Sequence, residues 1–578
     1  MVCLQINYYE FVLIVLVLFH LFVTNHIVVT DLRSFNMNKN LNTIDQTKSL
    51  INKMYQAVKK YEEGDLSAAN SLCEKILANT NTQPDALNLL AIIARQSKQL
   101  KKAEKIARFG VISNPSHSQI KNTLGLILMD LSKNIEAKDL FLQSHLEVPL
   151  KLDYISNFAK VSHNLGEWEL SEEFYGKALK MDASFIPALV GIALVFIDLG
   201  QFSNAREELD KAFDIDPFNP SVSHGLGLLA LACNQLNESY LHFDNVVKLS
   251  GGVSDAKVNR GLIRMLQGRL KAGWSDYNLR SRRRWNRSVE KFTEIPKWSG
   301  ECLRGKSIVI WSEQGLGECI LCSSLINTIT DEAAVVFLEC SSRLVEVFRR
   351  SFPKITIVSD GDDQDIKGQL DSPNFQSSIF DLLGYKGLDI VKNPISRSFL
   401  KVTERASKSL RVEYQKKEQG TPLVGLSFSS PQALTSRHKA FPLALMEPLL
   451  KMDGLRFVNL QYGKDRSKLT EFFKNADRDI IDDGNIDPSV SLSPLANQIG
   501  ALDLVISVSN TTAHLSGAIG TPTWVIVPAL GLGSMWYWLS DCQNCVWYPS
   551  VSLFRRSMGT DATLAKQLMS KLEKIAFK

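Results

Sequence analysis

From Leu50 onward the chain repeats itself every 34 residues without a slip, and no other feature restricts its fold so tightly. In the stretch LVGIALVFIDLGQFSNAREELDKAFDIDP, small or apolar residues stand at Leu189, Ile192, Ala193 and Phe196. Gly200 follows, then Ala205, Leu209, Ala212 and Pro217. One period earlier the set is Ile155, Phe158, Ala159, Gly166, Ser171, Tyr175 and Ala178; one period later it is Leu226, Gly227, Ala230, Ser239, Phe243 and Val246. The frame runs back through Leu124, Gly125, Ala137 and Phe141 to Leu90, Ala91, Ala103 and Ala107. It runs forward to Gly261, Gly268, Gly273 and Tyr277. Each unit therefore reads as two amphipathic helices. Small residues let the helices approach, and the glycine at mid-unit makes the turn between them. One unit cannot bury its apolar face alone, so neighbours must stack into a solenoid.

The pattern resembles the tetratricopeptide repeat, with about seven units over residues 50–287 and an atypical last unit at the cap. The resemblance implies a concave groove that takes a peptide or protein partner; the plainer alternative is a scaffold or dimerisation arm. The run RSRRRWNR at Arg280–Arg287 lies where the last helix ends, among Trp274, Tyr277, Trp285 and Trp298. Aromatic rings at that density favour a packed junction over residues 288–304 rather than a phosphate or membrane-surface patch.

A chain of 578 residues is too long for one core, and three to four domains are expected. The net charge of +5 is spread over 66 basic and 61 acidic residues, which gives no footprint for nucleic acid. Nine scattered cysteines fit a reducing, cytoplasmic setting better than a disulfide framework. The two CxxC pairs, Cys319/Cys322 and Cys542/Cys545, would make a zinc site only if they met in space; the first reads as part of an amphipathic helix. Residues 1–36 hold an apolar run, Phe11–Val23, that is short for a bilayer span and lacks a basic flank and a cleavage site. The segment fits a weak membrane anchor, a signal sequence, or a start of translation misplaced ahead of Met37. An anchor would leave the bulk of the chain in the cytoplasm, because Arg33, Lys39 and Lys48 follow it.

Beyond the repeats the period changes. Short buried strands alternate with helices, which predicts two α/β halves, 305–402 and 420–550, each with a parallel sheet covered on both faces. The first half opens with the strand KSIVIW, the loop SEQGLGE and an apolar helix. Strands at Ala334–Cys340 and Ile355–Ser359 follow, with a helix Arg343–Ser351 between them. The second half opens with PLVGLSF, then a polar stretch carrying Arg437 and Lys439. A helix Leu443–Met452, a strand Arg456–Tyr462 and a helix Ser467–Asn475 come next, and residues 551–578 are assigned to a terminal helix. The segment LVISVSNTTAHLSGAIGTPTWVIV at Leu504–Val527 reads as strand, turn, small-residue helix and strand.

The candidate chemistry sits at strand ends. Ligands of open α/β sheets bind outside the carboxyl ends of the strands. The turn Ser509, Asn510, Thr511 and Thr512 opens a helix there, where free N–H groups and the helix dipole favour an anion such as a diphosphate. Thr511 and Thr512 are expected to cap that helix, bind phosphate, or both. His514, in the first turn, is a candidate donor to the diphosphate. Gly315 and Gly317 form a turn after the first strand, and Glu318 behind them is placed to take a proton from a hydroxyl. Arg437 and Lys439 are candidates for phosphate, the first by a bidentate fork and the second as a point charge. There is no GxGxxG, GxxxxGK[ST], HExxH or GxSxG pattern.

WSEQGLGECIL, FVNLQYG, DLVISVSNTTAHLSGAIGTPTWVIVP, WYPSVSLFR and the junction GWSDYNLR resemble segments of bacterial tetratricopeptide-repeat proteins with a C-terminal glycosyltransferase region. That region is similar to glycosyltransferase family 9, the ADP-heptose heptosyltransferases. The resemblance implies a GT-B fold of two Rossmann-like halves, a nucleotide-sugar donor as substrate, no metal or other cofactor, and inverting transfer to a protein or glycan acceptor. Glu318 matches the family's acidic base, which is usually Asp; Lys439 matches its phosphate-binding Lys, and His514 its donor-loop His. Ser509, with Asn510 beside it, stands where the family has Asp. A catalytically degenerate GT-B protein, acting as a repeat-based interaction scaffold, is the alternative.

Overall fold

The computed structural model describes residues 37–250, 254–282, 291–313, 315–360, 373–430, 440–528, 535–556 and 561–576. The chain forms two compact units, one up to Leu124 and one from Gly125 on. The apolar run Phe11–Val23 lies outside the described residues. No helix among the described residues is long and apolar enough to cross a membrane.

The repeat is a run of helix pairs. Second helices begin at Leu66, Leu100, Asn134, Trp168, Phe202, Leu236 and Leu270, each 34 residues after the one before. First helices begin at Pro84, Ser118, Leu152, Ile186, Pro220 and Ser254 in the same step, and a longer helix, Met37–Glu62, precedes them. The residue between the two helices of a pair is left-handed every time: Gly64, Lys98, Ser132, Gly166, Gly200, Asn234 and Gly268 all have φ between 59° and 82°. Glycine adopts that conformation without steric penalty, whereas Lys98 and Ser132 are exposed and adopt it at the close of a helix, donating their N–H groups to Arg95 and Met129. Within the second unit the small position Ala137 and Ala205 is fully buried. Where serine replaces alanine there, its hydroxyl bonds a carbonyl of the paired helix: Ser171 to Ala159 at 2.8 Å and Ser239 to Gly227 at 2.7 Å. A buried polar group is thereby satisfied without widening the helix contact.

Two all-parallel sheets follow in the second unit. The first has strand order β3-β2-β1-β4, with β1 Ser307–Trp311, β2 Val335–Cys340, β3 Thr356–Ser359 and β4 Phe375–Ser378. The second has order β6-β5-β7-β8-β9, with β5 Leu423–Ser427, β6 Arg456–Asn459, β7 Leu504–Val508, β8 Thr523–Val527 and β9 Val551–Arg555. Ile308, Val309 and Ile310 are fully buried, as are Leu423, Val424 and Leu426, because helices cover both faces of such sheets. Chain order reverses between β1 and β4 and between β5 and β7, and these switch points are where an open α/β sheet leaves a crevice.

Two expectations need correction. The segment Leu443–Lys451 is a 3-10 helix rather than an α-helix, since Pro448 inside it has no N–H to give to an i→i−4 bond. Residues 551–578 are not helix throughout: they begin with the edge strand β9, which pairs in register with β8 from Thr523↔Val551 to Val527↔Arg555. The terminal helix is Asp561–Ala576.

Candidate functional site

The switch point of the first sheet is filled by the protein itself. Arg280, in the 3-10 turn Asn278–Arg282 that ends the last repeat, is 3 % exposed. Its guanidinium donates to Glu313 at 3.1 and 3.0 Å and to Asp381 at 2.8 Å, and Lys297 pairs with Asp381 at 2.8 Å. Glu313 follows β1 and Asp381 follows β4. The rings of Trp274, Tyr277 and Phe380 surround the guanidinium at 4.5–6.0 Å. Burial alone would push the Asp381 carboxyl up, but Arg280 and Lys297 outweigh it and hold the group below the ordinary carboxylate range. Trp298 packs on Tyr385 at 4.7 Å. The junction is thus aromatic and ionic, as its sequence implied; residues 283–290 of the basic run, with Trp285, lie outside the described residues.

Beyond Glu313 the loop turns into the helix Leu316–Ser323, with Gly315 at its N-cap and no side chain bonded there. A Cβ on Gly315 would stand 2.8 Å from a carboxylate oxygen of Glu318, so this glycine gives the side chain room to fold back over the turn. Glu318 is half-buried. Gly317 marks the meeting of the two α/β halves: a Cβ there would stand 2.6 Å from Cδ2 of His514. The N-terminal turn of Leu316–Ser323 therefore abuts the helix Thr511–Ile519 of the second sheet.

Asn510, not a threonine, caps Thr511–Ile519: its side chain accepts from the Ala513 N–H at 3.3 Å. The expected capping by Thr511 or Thr512 fails because Asn510, ahead of both, presents its side-chain carbonyl oxygen at the N-cap. Its amide also donates to the Ser427 hydroxyl at 2.8 Å and the Ser429 carbonyl at 3.0 Å, so it stitches β7 to the end of β5. Gln461 fixes the same loop, accepting from the Phe428 and Ser429 N–H groups at 3.0 Å. Burial pushes the Tyr462 phenol up, with Thr511 close enough to oppose the shift. Thr512 is fully buried. His514 is 2 % exposed; its Nδ1 is 2.9 Å from the Tyr548 hydroxyl, and its ring stacks on Trp538 at 5.1 Å.

Ser509 is reached by residues that the sequence did not single out. The Trp538 indole N–H donates to its hydroxyl at 2.7 Å. The Tyr537 ring meets His514 edge-on at 5.0 Å, and burial, with the Glu318 charge nearby, pushes its phenol well above its ordinary value. Tyr537 and Trp538 sit in the 3-10 turn Trp536–Trp538 beyond β8. The only hint of them was an aromatic run, WYW, without a motif around it. Gly317, with Glu318 next to it, is thus brought against His514 across the two halves, while Ser509 and Asn510 are engaged within the second. Arg437 and Lys439 lie outside the described residues. Among the described residues no group of three His, Cys, Asp or Glu side chains is placed to hold a metal. Burial pushes the Cys319, Cys322 and Cys545 thiols up, as befits small apolar core residues.

A family model of the tetratricopeptide repeat matches residues 186–219. Protein FlbA of Caulobacter vibrioides is 24% identical over 529 residues, 88% of this chain and 87% of that protein. The human Protein O-mannosyl-transferase TMTC3 is 25% identical over 182 residues, 31% of this chain and 20% of that protein. Among solved structures, a tetratricopeptide repeat protein from Parabacteroides merdae shares 15% identity at a TM-score of 0.35, covering 42% of this chain and 96% of that one. The helical half is therefore built of tetratricopeptide repeats, and the likeness to FlbA is long enough to take in α/β sequence as well.

Proposed function

We propose that the chain is a glycosyltransferase of GT-B architecture that moves a sugar from a nucleotide-sugar donor to a hydroxyl of a protein or glycan acceptor in the cytoplasm. The observation that carries this reading is the half-buried carboxylate of Glu318 on the N-terminal turn of one half, set against the helix Thr511–Ile519 of the other. Two parallel sheets whose strands end in loops on either side of such a seam are what a donor cleft requires. The acceptor oxygen attacks the anomeric carbon, the bond from that carbon to the diphosphate oxygen breaks, and Glu318 takes the acceptor proton. Inversion follows from this single displacement. The leaving diphosphate is assigned to Arg437, Lys439 and the start of Thr511–Ile519, without a metal. The repeats recruit the acceptor protein or a partner along their groove. The human relative that matches over 182 residues carries O-mannosyl transfer in its name, which agrees in reaction class.

One observation favours a second reading, a repeat scaffold whose α/β body binds without turning over. Asn510 already occupies the N–H group of Ala513 at the start of the helix. A panel of ADP-, UDP-, GDP- and CMP-sugars on the full chain separates the two. Release of the nucleotide from one donor, together with a thermal shift, supports transfer. A shift without release across protein and glycan acceptors supports the scaffold, and no shift with any donor removes the nucleotide site.

A further inference from the structure

Three aromatic residues from outside its own helix hold His514. Its Nδ1 is 2.9 Å from the Tyr548 hydroxyl. Trp538 stacks on its ring at 5.1 Å and 22°, and Tyr537 meets it edge-on at 5.0 Å. Tyr548 is itself fixed in place. A Cβ on Gly517 would stand 2.7 Å from Tyr548 Cγ, so this glycine, three residues beyond His514 on the same helix face, opens the slot that the phenol ring fills. Phe399 stacks on the same ring at 6.1 Å. Tyr548 is fully buried and His514 is 2 % exposed.

This pairing dictates where the protons lie. Among the described residues the Tyr548 hydroxyl has His514 Nδ1 as its hydrogen-bond partner and no other. Burial pushes the phenol well above its ordinary value, so it keeps its proton at pH 7. A hydroxyl proton in so dry a place needs an acceptor. Nδ1 can accept only if it carries no proton, and the proton of the imidazole is then on Nε2. The reverse, Nδ1–H donating to the phenol oxygen, would strand the phenol proton. Turning the ring over would set Cδ2–H against the hydroxyl, with the same cost. The opposite edge of the ring faces the other α/β half: a Cβ on Gly317 would stand 2.6 Å from Cδ2 and 3.1 Å from Nε2. We propose that Tyr548 is a positioning residue that holds His514 as the Nε2–H tautomer, with that edge turned to the glycine turn ahead of Glu318. His514 is then a hydrogen-bond donor at the seam and not a base, which leaves Glu318 to take the acceptor proton. This division of labour in turnover rests on the transfer reaction proposed above; the tautomer does not.

The test has two arms on the full chain. In the first, the histidine ring nitrogens are observed by NMR at pH 7 after 15N-histidine labelling, with His514 assigned through His514→Gln. The His514 pattern should be that of a bare, hydrogen-bonded Nδ1 and a protonated Nε2. Tyr548→Phe keeps the ring in its slot and removes only the hydroxyl, so the Nδ1 signal should move to the position of a nitrogen without a donor. A proton on Nδ1 in the unaltered chain overturns the proposal, whether or not the protein is an enzyme and whether or not the variant folds. An Nδ1 signal indifferent to Tyr548→Phe overturns it as well. In the second arm, nucleotide release is followed with whichever of the ADP-, UDP-, GDP- and CMP-sugars supports it. Tyr548→Phe should lower kcat by about 3- to 10-fold with the donor KM nearly unchanged, because charge on the leaving diphosphate grows only toward the transition state. In a His514→Gln background the same change should have almost no further effect. Additive losses would assign Tyr548 a merely structural part. If no donor is released, the transfer reading fails while the first arm still decides the tautomer.

Discussion

Glu318 owes its place to two residues without side chains. Gly315 leaves space for the carboxylate to fold over the turn, and Gly317 lets His514 of the other half come close behind it. A positioned general base supplies about 10²- to 10⁴-fold, so Glu318→Gln should reduce turnover by that amount while the thermal shift with the donor persists. Turnover within a fewfold of the unaltered chain would take the base role away from Glu318. This carboxylate was legible in the sequence because a strand, a glycine turn and an acidic first-turn residue are adjacent in the chain. Tyr537 and Trp538 were not, because they meet His514 and Ser509 only when the turn beyond β8 folds back over the start of the helix Thr511–Ile519. His514 was legible as a residue of the turn, but not as one whose Nδ1 is taken up by Tyr548. Nothing local in the sequence tells a histidine facing a crevice from one walled in by Trp538 and Tyr548.

At the scale of elements the 34-residue frame was fully readable, since each helix pair repeats the same short-range pattern and its left-handed joint. The exceptions to glycine at that joint are informative. Ser132 adopts φ 59°, a conformation that costs a residue with a Cβ roughly 1–2 kcal/mol, part of which glycine's greater freedom in the unfolded chain offsets. Ser132→Gly should therefore stabilise the second unit by about 0.5–1 kcal/mol, seen as a higher urea midpoint at an unchanged slope. A lower midpoint would mean that the serine hydroxyl does more than tolerate the turn. Gly317→Ala predicts the opposite sign. The added methyl would stand 2.6 Å from the His514 ring, inside any allowed contact, so the two halves must separate or the ring must shift. Overpacking of that kind costs about 1–3 kcal/mol and should also lower turnover, because Glu318 is the next residue. The elements that escaped the sequence are those set by pairing rather than by pattern. β9 is placed by its pairing with β8 on one side and a short antiparallel bridge from Asn544 on the other, and Leu443–Lys451 keeps an apolar helical spacing while Pro448 denies it the α-helical hydrogen bond.

Over the whole second unit, the helical array and the α/β body are joined where a ligand crevice would otherwise open. Arg280 leaves the last repeat, enters the switch point between β1 and β4 and neutralises Glu313 and Asp381, with Trp274, Tyr277 and Phe380 closing over it. Because Glu313 belongs to the loop that leads to Glu318, the end of the repeats and the candidate base are parts of one packed body. Removing the cation alone, as in Arg280→Met, takes the guanidinium from two buried carboxylates and should cost about 3–5 kcal/mol at pH 7. The pH dependence identifies the source. With Arg280 present, Asp381 is held below the ordinary carboxylate range, so its contribution is complete at neutral pH and is lost only as the pH falls below about 4. Without Arg280, Asp381 keeps Lys297 but loses its buried cation. Burial then favours proton uptake by Asp381 in the folded state at a higher pH than with Arg280 in place. The variant therefore regains stability as the pH drops from 7 toward 5, while the unaltered chain does not. Urea unfolding at pH 7 and pH 5 should show the gap between the two midpoints narrowing; an equal gap at both values would place the loss in the packing of Trp274 and Phe380 instead of in the charges.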